Sequence, residues 1–401
     1  MQARRSDDRW YQALRLGERL GAGDLEALPF DRDLAARRLE RWQSQAPFSD
    51  DGFFARRLAL DELSPDELAI LLGEAPAGLR ERQGPPPAWL LEIEEALSSP
   101  QADPFPWHES IPFDPASSAA FLVLVEPLIR RGCERLLRRI ETLPVPDGLD
   151  LDPQATLRCL IPGLVLPLRQ NLARALVLEL QAARLEESLV GDTPEERFQS
   201  FIASLRNPET ALEILGRSPV LARHVVERIA RWEEICGEML ERLVADWEEI
   251  RRCIALEAGP DAPPGPLTEA RIDGDPHRGG RSVFLLLFES GFRLVYKPKP
   301  LAVDAAVQEL LRWTVARGFE PGFRNLRILD RGRHGWMEFV ESAPCRSEDE
   351  VRRFYRRQGG YMALLYAIGG IDFHHENLIA SGEHPVLVDL ETLFHPDLEV
   401  R

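Results

Sequence analysis

An α+β fold is what this sequence predicts, and three observations predict it. Apolar residues recur at helical spacing through residues 1 to about 255, a Pro/Gly-rich stretch follows, and beyond it the pattern shortens to the two-residue alternation of strands. The expected organisation is a mainly helical region over 1–257, a linker over 258–267, and a sheet-containing region over 268–401.

The helical region carries its own start and stop signals. Ser64-Pro65-Asp66-Glu67 and Thr193-Pro194-Glu195-Glu196 each combine a capping hydroxyl, Pro at the first helical position and Glu at the third. Leu172, Leu176, Val177, Leu180 and Leu185 fall at helical spacing, while the prolines of Gln83-Gly84-Pro85-Pro86-Pro87 interrupt the helices. Trp107, Trp232 and Trp247 read as core or helix-packing residues.

After the linker, strands are expected over 281–288 and 292–297 around the turn Glu289-Ser290-Gly291. A helix follows over 302–317, with Val303, Val307, Leu310, Leu311 and Thr314 on one face and Gly318 ending it. Strands over 325–330 and 336–341 come next, then a helix capped by Ser347 and Glu350 that runs to about Ile368. A polar loop and a hairpin, 377–379 with 386–388, complete the order.

The bulk numbers exclude several function classes. Against 49 basic residues stand 66 acidic ones, and the net charge of −17 argues against non-specific binding to nucleic acid or anionic membranes. The longest apolar run, Ala119 to Val125, is too short for a membrane span, and the N-terminus has no apolar core for a signal peptide. The five cysteines are scattered and never form a CxxC pair, which favours free thiols in the cytoplasm over a disulfide framework or zinc ribbon.

Glycine turn, strand, strand ending in lysine, helix, two strands, helix, acidic loop and hairpin ending in Asp: this is the order of a kinase-type nucleotide site. Such a site needs a cation on the nucleotide phosphates, a carboxylate near the accepting hydroxyl, and oxygen ligands for Mg²⁺. Lys297 supplies the cation, and Val295, on the same face of the strand, an apolar surface for the base. Asp372, His374 and Asn377 form D-x-H-x-x-N, with the Asp-to-Asn spacing of a kinase catalytic loop. Asp389 follows at the end of the hairpin, so the chain can fold back and bring two oxygen ligands together.

Singly, each of these residues has an ordinary explanation. A lysine at a strand end is usually a solvated charge, Gly279-Gly280 a plain turn, and Asp372 or Asn377 a turn residue. Adjacent His374 and His375 point apart on extended backbone, which disfavours zinc. Glu309, at the flank of its helix's apolar face, reads as solvated rather than as the partner of Lys297, and His395 as a surface residue. Their order along the chain is what favours the functional reading.

The stretches "RALVLELQAARLEESLVGDTPEERFQSF", "SPVLARHVVERIARW", "ERLVADWEEI", "DGDPHRGGRSV", "LVYKPKPLAVDAAVQELLRW" and "DFHHENLI…VLVDLET" resemble the dehydratase half of class II lanthipeptide synthetases, the LanM type. The resemblance covers most of the chain and is loose over 1–150. It implies a kinase-like N-lobe after the helical region, an antiparallel sheet plus a helix, and the start of a C-lobe. It matches Asp275, His277, Gly279 and Gly280 to the loop over the nucleotide, and Lys297 to the phosphate-contacting lysine. Asp372 matches the residue that positions the peptide hydroxyl, His374 its neighbour, and Asn377 and Asp389 the Mg²⁺ ligands.

The implied reaction is ATP-dependent phosphorylation of Ser and Thr in a ribosomal precursor peptide with its leader. Elimination of phosphate then gives dehydroalanine and dehydrobutyrine. Cyclase or export machinery are implied associates. The family's elimination residues, the rest of the C-lobe and the zinc-containing cyclase are expected beyond Asp389, so the chain reads as an N-terminal fragment, inactive in dehydration alone. Two other readings use the same nucleotide site: a stand-alone kinase-like phosphotransferase acting on a small molecule or lipid, and an inactive peptide-binding scaffold.

Overall fold

A computed structural model describes residues 7–21, 25, 28–46, 48–49, 52–99, 117–254, 263–273, 280–390 and 392–393. Asp275, His277, Gly279, Trp107, His395 and residues 258–262 of the expected linker lie outside these. The chain divides into two compact units, residues 1–132 with 164–230, and residues 133–163 with 231–401.

The first unit is helical. It contains α1 (Leu16–Leu20), α2 (Arg32–Gln43), α3 (Phe53–Leu60), α4 (Pro65–Gly73), α5 (Pro76–Gln83), α6 (Ala88–Ser98), α9 (Pro194–Leu205) and α10 (Pro208–Arg217). Parts of α7 (Glu126–Glu141), α8 (Pro153–Leu185) and α11 (Pro219–Cys253) complete it. Ser64 and Thr193 both form capping boxes, each accepting a hydrogen bond from the backbone of the glutamate three residues on. Gly84, at φ 74°, turns the chain between α5 and α6. The apolar run 119–125 is buried throughout, as a 3-10 helix. Of the leucine stripe on α8, Leu172 and Leu176 are buried, but Val177 and Leu185 face solvent, so the apolar face is narrower than its spacing suggests.

The second unit holds the sheet. Five antiparallel strands lie in the order β1 (Leu267–Asp273), β2 (Val283–Phe288), β3 (Arg293–Lys297), β5 (Gly335–Glu338), β4 (Ile328–Asp330). Helices α12 (Ala302–Ala316) and α13 (Glu348–Ala367) and a separate hairpin, β6 (Leu378–Ser381) with β7 (His384–Leu387), follow. Trp232 and Trp247 are buried as expected, Trp232 Nε1 donating to the Leu160 carbonyl at 3.1 Å.

The strands differ from the expected boundaries, and for three of them the reason is identifiable. β1 is an additional strand; Glu269 and Ala270 at its centre carry little β propensity, and β2 supplies its pairing. β2 starts at Val283 rather than 281, where the Arg281 guanidinium is bonded to Glu238 of α11 at 2.7 Å. β4 starts at Ile328 rather than 325, because Asn325 Nδ2 and the Leu326 amide both donate to Gln308 of α12, each at 2.8 Å.

Along β3 the alternation is real but both faces are covered. Tyr296 packs on Phe284 and Trp336 on one side, and its hydroxyl takes a bond from Arg242 of α11. Val295 joins Leu326, Met337, Val340 and Val386 on the other, with Ile379 and Val388 packed against them. The hairpin therefore shares a core with the sheet face from which Lys297 projects.

Candidate functional site

Lys297 ends β3 almost fully buried, at 7% exposure, which makes a solvated edge charge the wrong description of it. Its ammonium donates to the Val388 carbonyl and lies 3.8 Å from the carboxylate of Asp304. Two residues on, the Lys299 ammonium sits 2.8 Å from Asp389 Oδ1. A proline after each lysine disfavours helical backbone at 297 and 299 and keeps this segment open.

Asp304 stands in the first turn of α12, where the helix dipole favours an anion. Burial raises its carboxyl above the ordinary range, against the pull of Lys297 and then Lys299, while nearby Asp389 adds to the rise. Glu309 is exposed, and the carboxylate beside Lys297 is that of Asp304. Buried Asp304, Val307, Gln308 and Leu311 share one helix face, and Glu309 falls off it.

The loop after α13 is closed on itself. Gly369 (φ 65°) and Asp372 (φ 62°) occupy the left-handed region, which a short polar residue such as Asp tolerates. Asn377 Nδ2 donates to the Asp372 carbonyl at 2.9 Å, and the Asn377 amide donates to the His374 carbonyl at 3.1 Å. His374 Nδ1 accepts from the Glu376 amide at 3.3 Å. The Asn377 carbonyl in turn accepts from the Val388 amide at 3.1 Å, and Thr392 Oγ1 donates to the Ile371 carbonyl at 2.7 Å. Asn377 thus ties the loop to the strand end that carries Asp389.

The structure accordingly gathers Lys297, Asp389 and the backbone of Asn377 around Val388. The Asp372 carboxylate is mostly exposed, with His374 Nε2 at 4.0 Å. Val295 is buried in the core shared by sheet and hairpin. Gly280 (φ 74°) lies under Arg231, where a Cβ would come within 2.5 Å of that side chain.

Lys299 and Asp304 are the members that motif reading missed. A signal for Lys299 is present in the composition: of the 49 basic residues only two, Lys297 and Lys299, are lysines. A compact ammonium is used at these two positions and a guanidinium everywhere else.

Residues 219–401 match the model of a family described as a domain of unknown function, DUF4135. The chain is also 28% identical over 237 residues to the Lacticin 481/lactococcin biosynthesis protein LcnDR2 of Lactococcus lactis subsp. lactis, a match covering 57% of this chain and 25% of that protein. The aligned part therefore spans about a quarter of the relative's length.

Proposed function

We propose that the chain is a relative of the class II lanthipeptide synthetases of the LanM type, and that its second unit carries a kinase-like site that phosphorylates Ser and Thr of a ribosomal precursor peptide. The observation that carries this reading is the meeting of Lys297, Lys299, Asp304 and Asp389 at the end of β7.

The donor set suits Mg²⁺ and ATP. Asn377 commits its amide nitrogen to the Asp372 carbonyl, which leaves Oδ1 as the end for a cation, and the Asp389 carboxylate is about one-third exposed. These are the hard oxygen ligands that Mg²⁺ takes, and the bound ion would offset charge on the transferring phosphoryl group. Lys297, positioned by the Val388 carbonyl and Asp304, would hold the phosphates from the buried side. Asp372 would present its exposed carboxylate to the peptide hydroxyl, orient it, and take its proton as the hydroxyl oxygen bonds to the γ-phosphorus of ATP and the bond to the ADP leaving oxygen breaks. Phosphate elimination to the dehydroamino acid further requires a base for the α-proton and a cation at the leaving group. Use of ATP goes with a cytoplasmic setting, and the precursor peptide with its leader is the partner.

Mass spectrometry of a Ser/Thr-containing precursor peptide incubated with the protein and Mg²⁺-ATP tests the assignment, because phosphorylation adds ~80 Da and dehydration removes ~18 Da. Phosphorylated peptide should appear, and Asp389→Ala should abolish it. Product that survives Asp389→Ala would overturn the metal assignment, and a protein that binds no Mg²⁺-ATP would overturn the whole reading.

A further inference from the structure

Asp389 is paired with a lysine. The Lys299 ammonium lies 2.8 Å from Oδ1, and Lys299 is largely buried, at 14% side-chain exposure, where screening by solvent is weak. Beside it, among the described residues, stand Lys297 and Asp304, so two lysines and two aspartates lie close together. A divalent cation that takes Asp389 adds two positive charges next to an ammonium. The two cannot share one carboxylate oxygen at contact distance without strong repulsion.

We infer that Lys299 is the resident counterion of Asp389, holding the carboxylate in place until a divalent cation displaces it. This rests on the reading of Asp389 as a metal ligand and adds a competition to it. The residue type fits such a role. An ammonium on a flexible four-carbon stem makes single-point contacts and is released readily, whereas a guanidinium would bind the carboxylate with a two-pronged fork. In a chain that uses arginine for every Lys/Arg position but 297 and 299, Lys299 keeps the exchangeable cation.

Binding of Mn²⁺ without nucleotide, followed by the electron paramagnetic resonance signal of the free hexaaqua ion, tests the competition directly. Lys299→Met should bind Mn²⁺ about fivefold or more tighter than the wild type, since no ion pair has to be broken. Lys299→Arg should bind it no tighter than the wild type. Equal or weaker binding by Lys299→Met, or tighter binding by Lys299→Arg, overturns the inference. Asp389→Asn separates this from the parent reading, because Mn²⁺ bound by that variant as by the wild type would mean that Asp389 is not the ligand at all. A second measurement needs no variant. With only two lysines, amine acetylation read by mass spectrometry reports on each. Labelling of Lys299 should rise when Mn²⁺ is added, and labelling that stays constant at saturating Mn²⁺ counts against displacement.

Discussion

At Asp304 burial and charge oppose one another: desolvation disfavours the carboxylate, and Lys297 and Lys299 favour it. Asp304→Ala removes the anion from beside a buried ammonium, and we expect a loss of about 3 kcal/mol in urea unfolding, the usual cost of breaking a buried pair from one side. A loss well below ~1 kcal/mol would mean that the pair contributes nothing. Glu383 poses the opposite case. A hydrogen bond from Arg353, and then one from Arg357, hold its carboxyl below the ordinary 4.5, against a smaller effect of burial. The folded state then prefers the ionised form more than the unfolded chain does. The stabilisation is complete above pH 4.5 and is lost as the pH falls through the lower folded value. Glu383→Gln should therefore be less stable than the wild type at pH 7, and the two should converge on acidification. Parallel stability curves from pH 7 to 3 would refute this.

At the scale of elements, two neighbouring glycines in α13 should respond oppositely to the same change. Gly359 is exposed with nothing within 4 Å of a built Cβ, so Gly359→Ala should stabilise by about 0.5–1 kcal/mol through helix propensity. A Cβ on Gly360 would lie 2.4 Å from Phe319 and 2.8 Å from Phe323, two rings stacked at 4.6 Å. Gly360→Ala should cost about 1–3 kcal/mol by overpacking, and thermal melts of the pair decide it. Element legibility follows the same division between local and non-local causes. Helices announced by Ser64, Thr193 and Ser347 start where those caps place them, because a cap is a contact over three residues. β1 was not legible, since its partner β2 lies beyond the residues that would have to reveal it. The late start of β4 is set by Gln308, a distant helical residue. In the site, D-x-H-x-x-N and Lys297 could be read as motifs, but Asp304 and Lys299 are identified by burial and by charges some 90 residues away, as the Lys299–Asp389 pair shows.

At the scale of the whole molecule, ligand binding and stability are coupled, and the proposed site lies in one unit only. Lys297, Lys299, Asp304, Asn377 and Asp389 all belong to the unit formed by 133–163 and 231–401, as do the buried Trp232, Trp247 and Trp336. Trp10 and Trp89 are buried in the other unit. A ligand that binds only the folded form stabilises it by about 2.7 kcal/mol at one hundred times its Kd. For a unit of roughly 200 residues that corresponds to a rise in Tm of about 5–10 °C. Mg²⁺ and ATP together should produce this rise in the tryptophan-monitored transition, and ATP with a chelator a smaller one, because the phosphates then meet Lys297 without a cation on Asp389. In Asp389→Asn the difference between these two conditions should vanish, since the variant keeps the shape of the carboxylate but loses its charge. A shift of equal size with and without the metal in the wild type would separate nucleotide binding from Asp389. No shift under either condition would remove the nucleotide from this unit altogether.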